Sequence, residues 1–377
     1  MKVPIIKPDL PNFERIKERF EEVLSSGKVT NFGKYVTEFE NLAEEYLGTH
    51  AISVSSGTMA LVFTLQALGL KSGGKVILPS FTFMATAQAI LYAGGVPLFA
   101  EVGDDLTLSP ADLEKLLKQH RDIAVVLPVH TFGLPCRVKE IQQVVDNASK
   151  KYSRPIALVY DAAHAFGASR DGIRVGNFGI AEIFSLSVTK ALTTIEGGLV
   201  SSKDLQLINQ IRKMRNYGME SYTYNATLPG LNGKMSEFHA IIGIENLKRI
   251  ETVMEERRKK ADYFLREIKE KTPFQPLVPP AHTRHTFKDF TILVPKQWKE
   301  ERNRIMEFLK EKGIETRAYF YPPVHEQEFF KRFQNHPLAR TEDLSRRVVT
   351  LPFFTGISQE EMAYIVDSLV QAVRIRV

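Results

Sequence analysis

Three stretches of the chain carry side chains that could act together in one kind of chemistry. Asp161 ends an apolar run and is followed by two alanines and His164. Lys190 follows a second apolar run that ends in small hydroxyl residues, and a glycine pair comes shortly after it. A third run leads into a Ser-Gly-Thr turn at residues 56–58, directly before a helical pattern. A carboxylate, an amine and a turn with free N–H groups are what a phosphorylated ring cofactor needs.

The turn formed by Ser56, Gly57 and Thr58 is a candidate phosphate site. A strand that turns into a helix here presents backbone N–H groups and the positive end of the helix dipole to an anion. An ordinary helix cap uses the same residue types, so the turn alone does not decide between the two. It has neither the lysine of a P-loop nor the G-x-G-x-x-G spacing of dinucleotide-binding folds, which disfavours both of those nucleotide sites.

Taken together, the three stretches indicate pyridoxal phosphate. In this interpretation Lys190 binds the cofactor covalently, and Asp161 keeps the pyridine nitrogen protonated so that the ring can accept electrons. The small residues after Asp161, among them Ala163, leave room for the flat ring, and His164 is near enough to hydrogen-bond a ring substituent. Phe83, at the end of an earlier strand, is the candidate for covering the other face of the ring.

Apolar runs alternate with helical patterns through the first 200 residues, and this order determines where the reactive groups can lie. The alternation predicts βαβ units and an α/β fold with a mainly parallel sheet flanked by helices. Ligands bind such sheets outside the carboxyl ends of the strands, which is where we expect Asp161. Strands are expected at 50–56, 75–80, 96–102, 123–129, 156–161, 181–187 and 197–202.

The last third of the chain predicts a second, smaller unit. Residues 234–270 have the pattern of one long helix, and a proline-rich connector follows at 273–283. We therefore expect a large cofactor-binding domain with an N-terminal arm at 1–250 and a small α+β domain at 251–377. The elements expected after the connector are a strand at 287–295, a helix at 299–313, a strand at 314–320 and a helix at 358–375.

Composition and charge exclude several classes of protein. The chain has 377 residues, of which 44% are hydrophobic and 25% charged, as in ordinary globular domains. No apolar run approaches the ~20 residues that span a bilayer, and the N-terminal residues lack the apolar core of a signal peptide, so we expect a soluble cytoplasmic protein. The net charge of +6 is spread along the chain, and the densest basic stretch, 255–271, is interleaved with acidic residues. This pattern is typical of a solvated helix face, so we expect no nucleic-acid partner.

The cysteine content limits metal and redox chemistry. Cys136 is the only cysteine of the chain, which excludes an intrachain disulfide and a cysteine metal cluster. His130 and Cys136 alone make too small a ligand set for a metal. We therefore expect no metal site.

The motifs and their order along the chain resemble one known family. They include SSGKVTNFGKYVTEFENLAEEYLGT, VSSGTMAL, PSFTFMATAQAI, PVHTFGLPC, YDAAHAFGA, FSLSVTK, GLNGKMSEFHA, YPPVH and LPFF. The chain is similar nearly end to end to the DegT/DnrJ/EryC1/StrS family, the nucleotide-sugar aminotransferases of pyridoxal phosphate fold type I. The resemblance implies a large domain with a seven-stranded, mostly parallel sheet, a small C-terminal domain and a homodimer with shared active sites.

The resemblance also implies roles for single residues. Lys190 matches the lysine that binds the cofactor, Asp161 the partner of the pyridine nitrogen, and His164 a neighbour of the ring's 3-hydroxyl. Ala163 and Phe83 match the residues on the two faces of the ring. Implied phosphate contacts are Ser56, Gly57, Thr58, Ser185 and, from the partner subunit, Asn232; expected substrate contacts are Lys28, Tyr319 and His325. The sequence differs from the family at Lys234, Thr131 and Phe132, and these differences concern substrate contacts rather than the cofactor.

The function implied by the resemblance is amino transfer to a sugar. Glutamate would convert the cofactor to its pyridoxamine form, which would then aminate a keto group of a nucleotide-linked keto-deoxy sugar. Residues 130–136 and 161–165 favour C4 of a 4-keto-6-deoxy sugar. One alternative is a sugar dehydratase of the same fold, in which a histidine replaces the lysine, so Lys190 argues against it. The other is a non-catalytic regulatory or binding protein, which need not keep Lys190 and Asp161.

Overall fold

The computed structural model describes residues 1–220, 223–334 and 336–375, which form thirteen strands and twelve α-helices. The strands are β1 (His50–Val54), β2 (Lys75–Pro79), β3 (Val96–Ala100), β4 (Ile123–Val126), β5 (Ala157–Asp161), β6 (Ser169–Arg170), β7 (Ile173–Arg174), β8 (Ala181–Ser185), β9 (Gly198–Ser202), β10 (Gln275–Pro276), β11 (Thr283–Arg284), β12 (Phe290–Leu293) and β13 (Val348–Leu351). The α-helices are α1 (Lys17–Ser26), α2 (Lys34–Leu47), α3 (Gly57–Ala67), α4 (Met84–Tyr92), α5 (Pro110–Gln119), α6 (Val138–Lys151), α7 (Leu205–Met214), α8 (Glu237–Lys248), α9 (Ile250–Lys271), α10 (Arg302–Glu311), α11 (Ala339–Arg347) and α12 (Gln359–Ile375). Short 3₁₀ helices lie at Phe13–Arg15, Thr131–Gly133, Lys296–Glu301, Val324–Glu326 and Lys331–Phe333.

The largest sheet has seven strands in the order β1-β9-β8-β5-β4-β2-β3. Its neighbouring strands are parallel except for β9, which runs antiparallel to β1 and to β8. In the central pair, Asp161 of β5 lies in register with Ile183 of β8. The predicted α/β fold with a mainly parallel sheet is confirmed. All seven expected strands are present, each shorter than expected by one to three residues.

Both faces of this sheet are covered by helices. Val76 and Leu78 belong to one hydrophobic core, whereas Ile77 between them belongs to another. In the central strand β5, Val159 belongs to the first of these cores and Leu158 to the second. Successive side chains of a strand point to opposite faces, so the two cores lie on opposite sides of the sheet. Parallel sheets need this arrangement because their crossover helices bury both faces.

The long helix expected at 234–270 is in fact two helices. α8 ends at Lys248, and Arg249 leaves helical geometry, with φ −111° and ψ 5°, before α9 begins. Asn246 explains the break, because its amide donates to the backbone oxygen of Thr193 at 2.8 Å and its Oδ1 accepts from the Arg249 guanidinium at 2.7 Å. Thr193 lies 53 residues earlier in the chain, so the hydrophobic periodicity could not show this contact.

The C-terminal third is built on a three-stranded antiparallel sheet in the order β10-β12-β13. The strand expected at 314–320 was wrong: within the described residues this segment makes only single bridges, from Ile314 to Val3 and from Arg317 to Thr350. Strand β13, which the sequence analysis did not predict, pairs with β12 instead. A third small sheet joins β11 to the β6–β7 hairpin and so links this part of the chain to the first. No helix in the described part of the chain is both long and apolar enough to cross a membrane.

Candidate active site

A cavity of about 370 Å³ lies where several strands of the large sheet reach their carboxyl ends. Strands β5 and β8 are parallel, so Asp161 and Ser185 end at the same edge, and the start of α3 meets them there. Ten of the thirteen residues predicted for the site line this cavity: Ser56, Gly57, Thr58, Phe83, Asp161, Ala163, His164, Ser185, Lys190 and Tyr319. The structure therefore brings together residues that are far apart in the sequence.

Asp161 is a buried carboxylate that can still pair with a positively charged group. It is only 4% exposed, and it accepts hydrogen bonds from Thr86 Oγ1 at 2.8 Å and from the backbone N–H of Ala163 at 3.0 Å. Burial raises the pKa of its carboxyl group, and these two hydrogen bonds act in the opposite direction. It forms no ion pair with any side chain in the described parts of the chain, although its carboxylate lines the cavity. A protonated ring nitrogen would satisfy this group.

Lys190 lies in the loop after β8, where its backbone N–H donates to the carbonyl oxygen of Ser187 at 2.9 Å. Burial of its side chain and then the positive charge of Lys288 lower its pKa to about 7, while Asp289 and Asp161 act in the opposite direction. A large fraction of this amine is therefore neutral near pH 7, and the neutral amine is the nucleophilic form. The site provides the reactive lysine that covalent cofactor binding requires.

His164 presents a neutral imidazole to the cavity. Burial, followed by the charges of Lys190 and Lys288, lowers its pKa well below the ordinary value. Its Nδ1 accepts the backbone N–H of Phe132 at 3.2 Å, so the ring proton is placed on Nε2. The ring is stacked nearly parallel to Phe132 and Phe320, with centroids 6.4 Å apart in both pairs. This fixed ring can donate one hydrogen bond, as an oxygen substituent on a cofactor ring needs.

The start of α3 forms an anion site with the end of β8. Ser56 Oγ accepts the backbone N–H of Met59 at 3.2 Å and caps the helix. A Cβ atom at Gly57 would lie 2.8 Å from the Cβ of Ser185, so only glycine allows this approach of helix and strand. Gly57 and Thr58 of the first turn line the same cavity as Ser185, and the first N–H groups of a helix have no partner within that helix. This geometry suits a phosphate group.

Phe83 differs from the other large aromatic residues of the site because it is 53% exposed. It is the residue immediately before α4 and lines the cavity together with the small Ala163. An exposed aromatic face in the wall of the cavity is suited to covering a flat ring. These residues, with Asp161, Lys190 and the anion site, fit pyridoxal phosphate.

Three predicted residues lie outside the cavity. His325 was expected to contact substrate, and this prediction is wrong for the described structure: the residue is fully buried, with Nδ1 2.6 Å from Ser80 Oγ and Nε2 3.3 Å from Glu342 Oε1. A ring with both nitrogens engaged and no exposed surface cannot reach a ligand. Lys28 and Asn232 are exposed and do not line this chain's cavity. Their expected contacts stay predictions, and that of Asn232 requires a second subunit.

The sequence analysis missed several residues of the cavity wall. Thr86, which donates to Asp161, lies one turn after Phe83 in the same motif, and this spacing was the available signal. Lys288 and Asp289 form a buried ion pair at 2.8 Å directly before β12. Two charges next to an apolar strand were visible in the sequence, but nothing in it placed them beside Lys190. Glu196 and Phe320, which the sequence did not single out, also line the cavity. Ser187 and Thr189 line it too; their position next to Lys190 in the sequence left a site role and a turn role equally open.

Comparisons with known proteins agree with this geometry. Residues 12–370 match the model of the DegT/DnrJ/EryC1/StrS aminotransferase family. The dTDP-4-amino-4,6-dideoxy-D-glucose transaminase of Escherichia coli is 31% identical over 367 residues, which are 95% of each chain. The UDP-N-acetyl-3-dehydro-alpha-D-glucosamine 3-aminotransferase of Acidithiobacillus ferrooxidans is 32% identical over 320 residues, 84% of this chain and 82% of that protein.

A solved structure extends the likeness to three dimensions. DesI, determined in the presence of its TDP-sugar product, has a TM-score of 0.91 and is 31% identical, covering 100% of this chain and 94% of its own. The family match spans most of the chain, and it includes the segments that form the cavity. The chain belongs to the DegT/DnrJ/EryC1/StrS aminotransferase family, and it is a sugar aminotransferase that uses pyridoxal phosphate.

Proposed function

We propose that the protein transfers the amino group of glutamate to C4 of a nucleotide-linked 4-keto-6-deoxy sugar. The observation that carries this proposal is the meeting of Lys190, Asp161 and His164 with the anion site in one cavity. The amino group leaves glutamate as 2-oxoglutarate forms, and the same site then delivers it to the keto carbon of the sugar. The sugar and the position of its keto group are the parts of the proposal that need a direct test.

Each residue of the site has a defined task in this proposal. When bound, pyridoxal phosphate withdraws electrons from the carbon that carries the transferred nitrogen. Asp161 holds the proton on the ring nitrogen, and the first turn of α3 holds the phosphate. Lys190 Nζ removes a proton from one carbon and returns it to another, which is a task for an amine whose pKa lies near 7. His164 donates a hydrogen bond from its Nε2–H group to the oxygen substituent of the ring.

The likeness to a transaminase named for a 4-amino sugar supports C4 as the site of amination. The likeness to a 3-aminotransferase names C3 as the competing position. A dehydratase of this fold is disfavoured because the cavity contains Lys190 rather than histidine.

The cavity is lined by Lys288, Asp289 and Tyr319 from the C-terminal third of the chain as well as by residues from the first part. We propose that it lies between a cofactor-binding domain at 1–250 and a small domain at 251–377.

A panel of nucleotide-linked keto sugars offered with glutamate tests the proposal. The panel contains 3-keto and 4-keto sugars on GDP, dTDP and UDP, and each product is identified by mass spectrometry and NMR. We expect the amino product from a 4-keto-6-deoxy sugar and stoichiometric 2-oxoglutarate. Amination of a 3-keto sugar alone would refute C4, and loss of water without amination would indicate the dehydratase.

The rate of covalent cofactor uptake by the apoprotein should rise with pH through about 7. Burial and the charge of Lys288 lower the pKa of Lys190 to about 7. Below this pH the amine is protonated and cannot attack a carbonyl carbon, whereas above it the amine is neutral. Stopped-flow absorbance over about pH 5.5 to 9 measures the rate. An exposed lysine has a pKa near 10.4, so a rate that still climbs tenfold per pH unit at the upper end would contradict the prediction.

We propose a homodimer in which each site takes Asn232 from the partner. Asn232 is exposed, and its segment forms a single bridge to Asn216. An amide that donates to a phosphate oxygen contributes about 1.5–3 kcal/mol, so Asn232→Ala should weaken cofactor retention about tenfold or more. Retention should also fall on dilution, because the cofactor binds only the assembled state. Asn225→Ala, an exposed asparagine in the same segment, is the control and should retain the cofactor normally.

Complementation tests the shared site directly. Lys190→Ala and Asn232→Ala chains are mixed and allowed to exchange subunits. In a mixed dimer with shared sites, one site carries both lesions and the other carries neither, so activity should exceed that of either parent. If exchange is demonstrated by native mass spectrometry and activity does not recover, each site is built from one chain.

A further inference from the structure

Lys288 and Asp289 form an ion pair in the wall of the active-site cavity. The charge of Lys288 lowers the pKa of Lys190, but neither side chain of the pair has yet been given a contact with a substrate. Lys288 Nζ lies 2.8 Å from Asp289 Oδ1 and 3.1 Å from Oδ2. Their exposed fractions are 6% and 7%, and both side chains line the cavity together with Lys190 and His164. Lys288 Nζ also lies 5.8 Å from the centre of the Tyr319 ring. Placing two charges in such a site costs desolvation energy, which apolar residues of the same size would avoid.

The backbone that carries the pair is held in place from several sides. The buried Arg257 guanidinium donates to the carbonyl oxygens of Thr286 and Lys288 at 3.2 and 3.3 Å. The N–H of Lys288 donates to the carbonyl oxygen of Phe132 at 3.0 Å, and Thr286 Oγ1 donates to the backbone oxygen of His164 at 2.7 Å. The segment is thus fixed directly to the loop that follows Asp161, and the pair has a defined position beside the reacting groups.

The segment that carries Lys288 and Asp289 packs closely against the loop that contains Gly133. Gly133, with φ +94°, faces Thr286 so closely that a Cβ atom would lie 1.8 Å from Thr286 Oγ1 and 2.7 Å from the backbone oxygen of His164. Only glycine meets both requirements, since the left-handed backbone and the close approach each exclude a side chain. The segment that carries the pair is therefore packed directly against the loop that contains His164.

The chemistry of the pair favours a hydroxyl group over an anion. The two charges cancel, so a carboxylate of the amino donor would meet Asp289 as well as Lys288. An ammonium group has three N–H donors and a carboxylate has about four acceptor positions, so both keep hydrogen-bonding capacity after pairing with each other. A hydroxyl is both donor and acceptor, and it can use Lys288 and Asp289 at once without separating their charges.

The position of the pair indicates which hydroxyl it contacts. The carbon that gains the amino group must lie beside Lys190 Nζ, since that amine moves the proton. Lys288 and Asp289 line the same cavity as Lys190 and His164, and of the charged side chains Lys288 has the largest effect on the pKa of Lys190. A group within reach of the pair is consequently a substituent close to the reacting carbon. On a sugar ring, the polar substituent next to a keto carbon is the vicinal hydroxyl.

We propose that Lys288 and Asp289 recognise the hydroxyl group adjacent to the keto carbon of the sugar and so determine which keto sugars are accepted. This inference rests on the proposed function, because it assumes that a keto sugar is the acceptor. It makes the pair a specificity element of the step in which the sugar is aminated. Loss of the pair should change the choice between keto sugars, whereas the accompanying change in the pKa of Lys190 should affect the rates with both sugars alike.

The test compares two acceptors on the same enzyme. The holoenzyme in its pyridoxamine form is mixed with the keto sugar that the panel identifies and with its analogue lacking the adjacent hydroxyl, and single-turnover kcat/KM is measured for each. We expect the wild type to prefer the hydroxylated sugar by at least about 10²-fold, because the analogue leaves a buried polar pair unmatched. In Lys288→Met/Asp289→Leu the preference should fall to within about threefold.

Controls separate recognition from structural damage. Because both acceptors are measured on one variant, a loss of fold or cofactor cancels from their ratio. Lys310→Met/Glu307→Leu removes an exposed ion pair of α10 and should keep the full preference. If the apolar variant does not fold, Asp289→Asn serves instead and should lower the preference at least about fivefold. Calorimetric binding of the two sugars to the cofactor-free protein gives the same ratio without turnover.

The outcomes are distinguishable. Equal use of both sugars by the wild type, or an unchanged preference in the variant, overturns the inference and leaves the proposed function intact. Loss of the glutamate half-reaction in Asp289→Asn would assign the pair to the amino donor and overturn the inference as well. Failure of the wild type to aminate any keto sugar overturns the proposed function, and the inference with it.

Discussion

Replacing Lys190 by alanine should lower the rate of amino transfer at least about 10³-fold, because one side chain performs two tasks. Its amine binds the cofactor covalently, and the same Nζ then carries the proton between two carbons. The amine can do both because burial lowers its pKa to about 7, so it is neutral often enough to attack and still able to accept a proton. Water or free amine cannot replace it fully, since neither is held at the reacting carbon.

The position of attachment checks this prediction independently of the rate. Borohydride treatment of the wild type should fix the cofactor to a single tryptic peptide that contains Lys190, and the variant should yield no labelled peptide. Lys203→Ala, which removes an exposed lysine in the loop after β9, is the control and should keep both activity and label. Labelling of a different lysine in the wild type would show that the residue has been misassigned.

The large sheet could be predicted from the sequence because each of its strands is a short apolar run bounded by turns. Once the sheet is parallel, Asp161 and Ser185 must meet at one edge, since parallel neighbours end on the same side. The start of α3 joins them because β1 runs in the same direction, being separated from β8 by the antiparallel β9. The local hydrophobic pattern and the direction of the strands are therefore enough to predict that the anion site, the Asp161 carboxylate and the loop with Lys190 lie together.

The remaining features depend on contacts between distant parts of the chain, which local patterns do not contain. Nothing near His325 indicates that its ring is buried against Ser80, 245 residues earlier. The break between α8 and α9 depends in the same way on Thr193. Lys288 and Asp289 look like solvated charges in the sequence, and the contacts that hold their backbone at the cavity come from distant residues, among them Arg257 and Phe132.

Replacing Asp161 by asparagine should lower amino transfer at least about 10²-fold while the protein keeps its fold and much of its cofactor. The amide has nearly the same shape as the carboxylate and can still accept from Thr86 Oγ1, so the local packing of β5 and α4 is retained. It has no charge, and it cannot hold a proton on the ring nitrogen. The bound cofactor then withdraws electrons poorly, and the proton transfer by Lys190 becomes slow.

The variant Thr86→Val provides the graded comparison, because it leaves the Asp161 carboxylate in place and removes one of its two hydrogen bonds. Loss of that bond raises the pKa of Asp161 further, since burial already raises it and the bond opposes that effect. The charge is still available to a cationic nitrogen, so we expect a loss of about tenfold or less. Both variants are measured by single-turnover rates after cofactor content is determined by absorbance. If Asp161→Asn has full cofactor content and a rate near that of the wild type, Asp161 does not hold the proton on the ring nitrogen. If both variants lose the same factor in rate, the local hydrogen bonds matter more than the charge of the carboxylate.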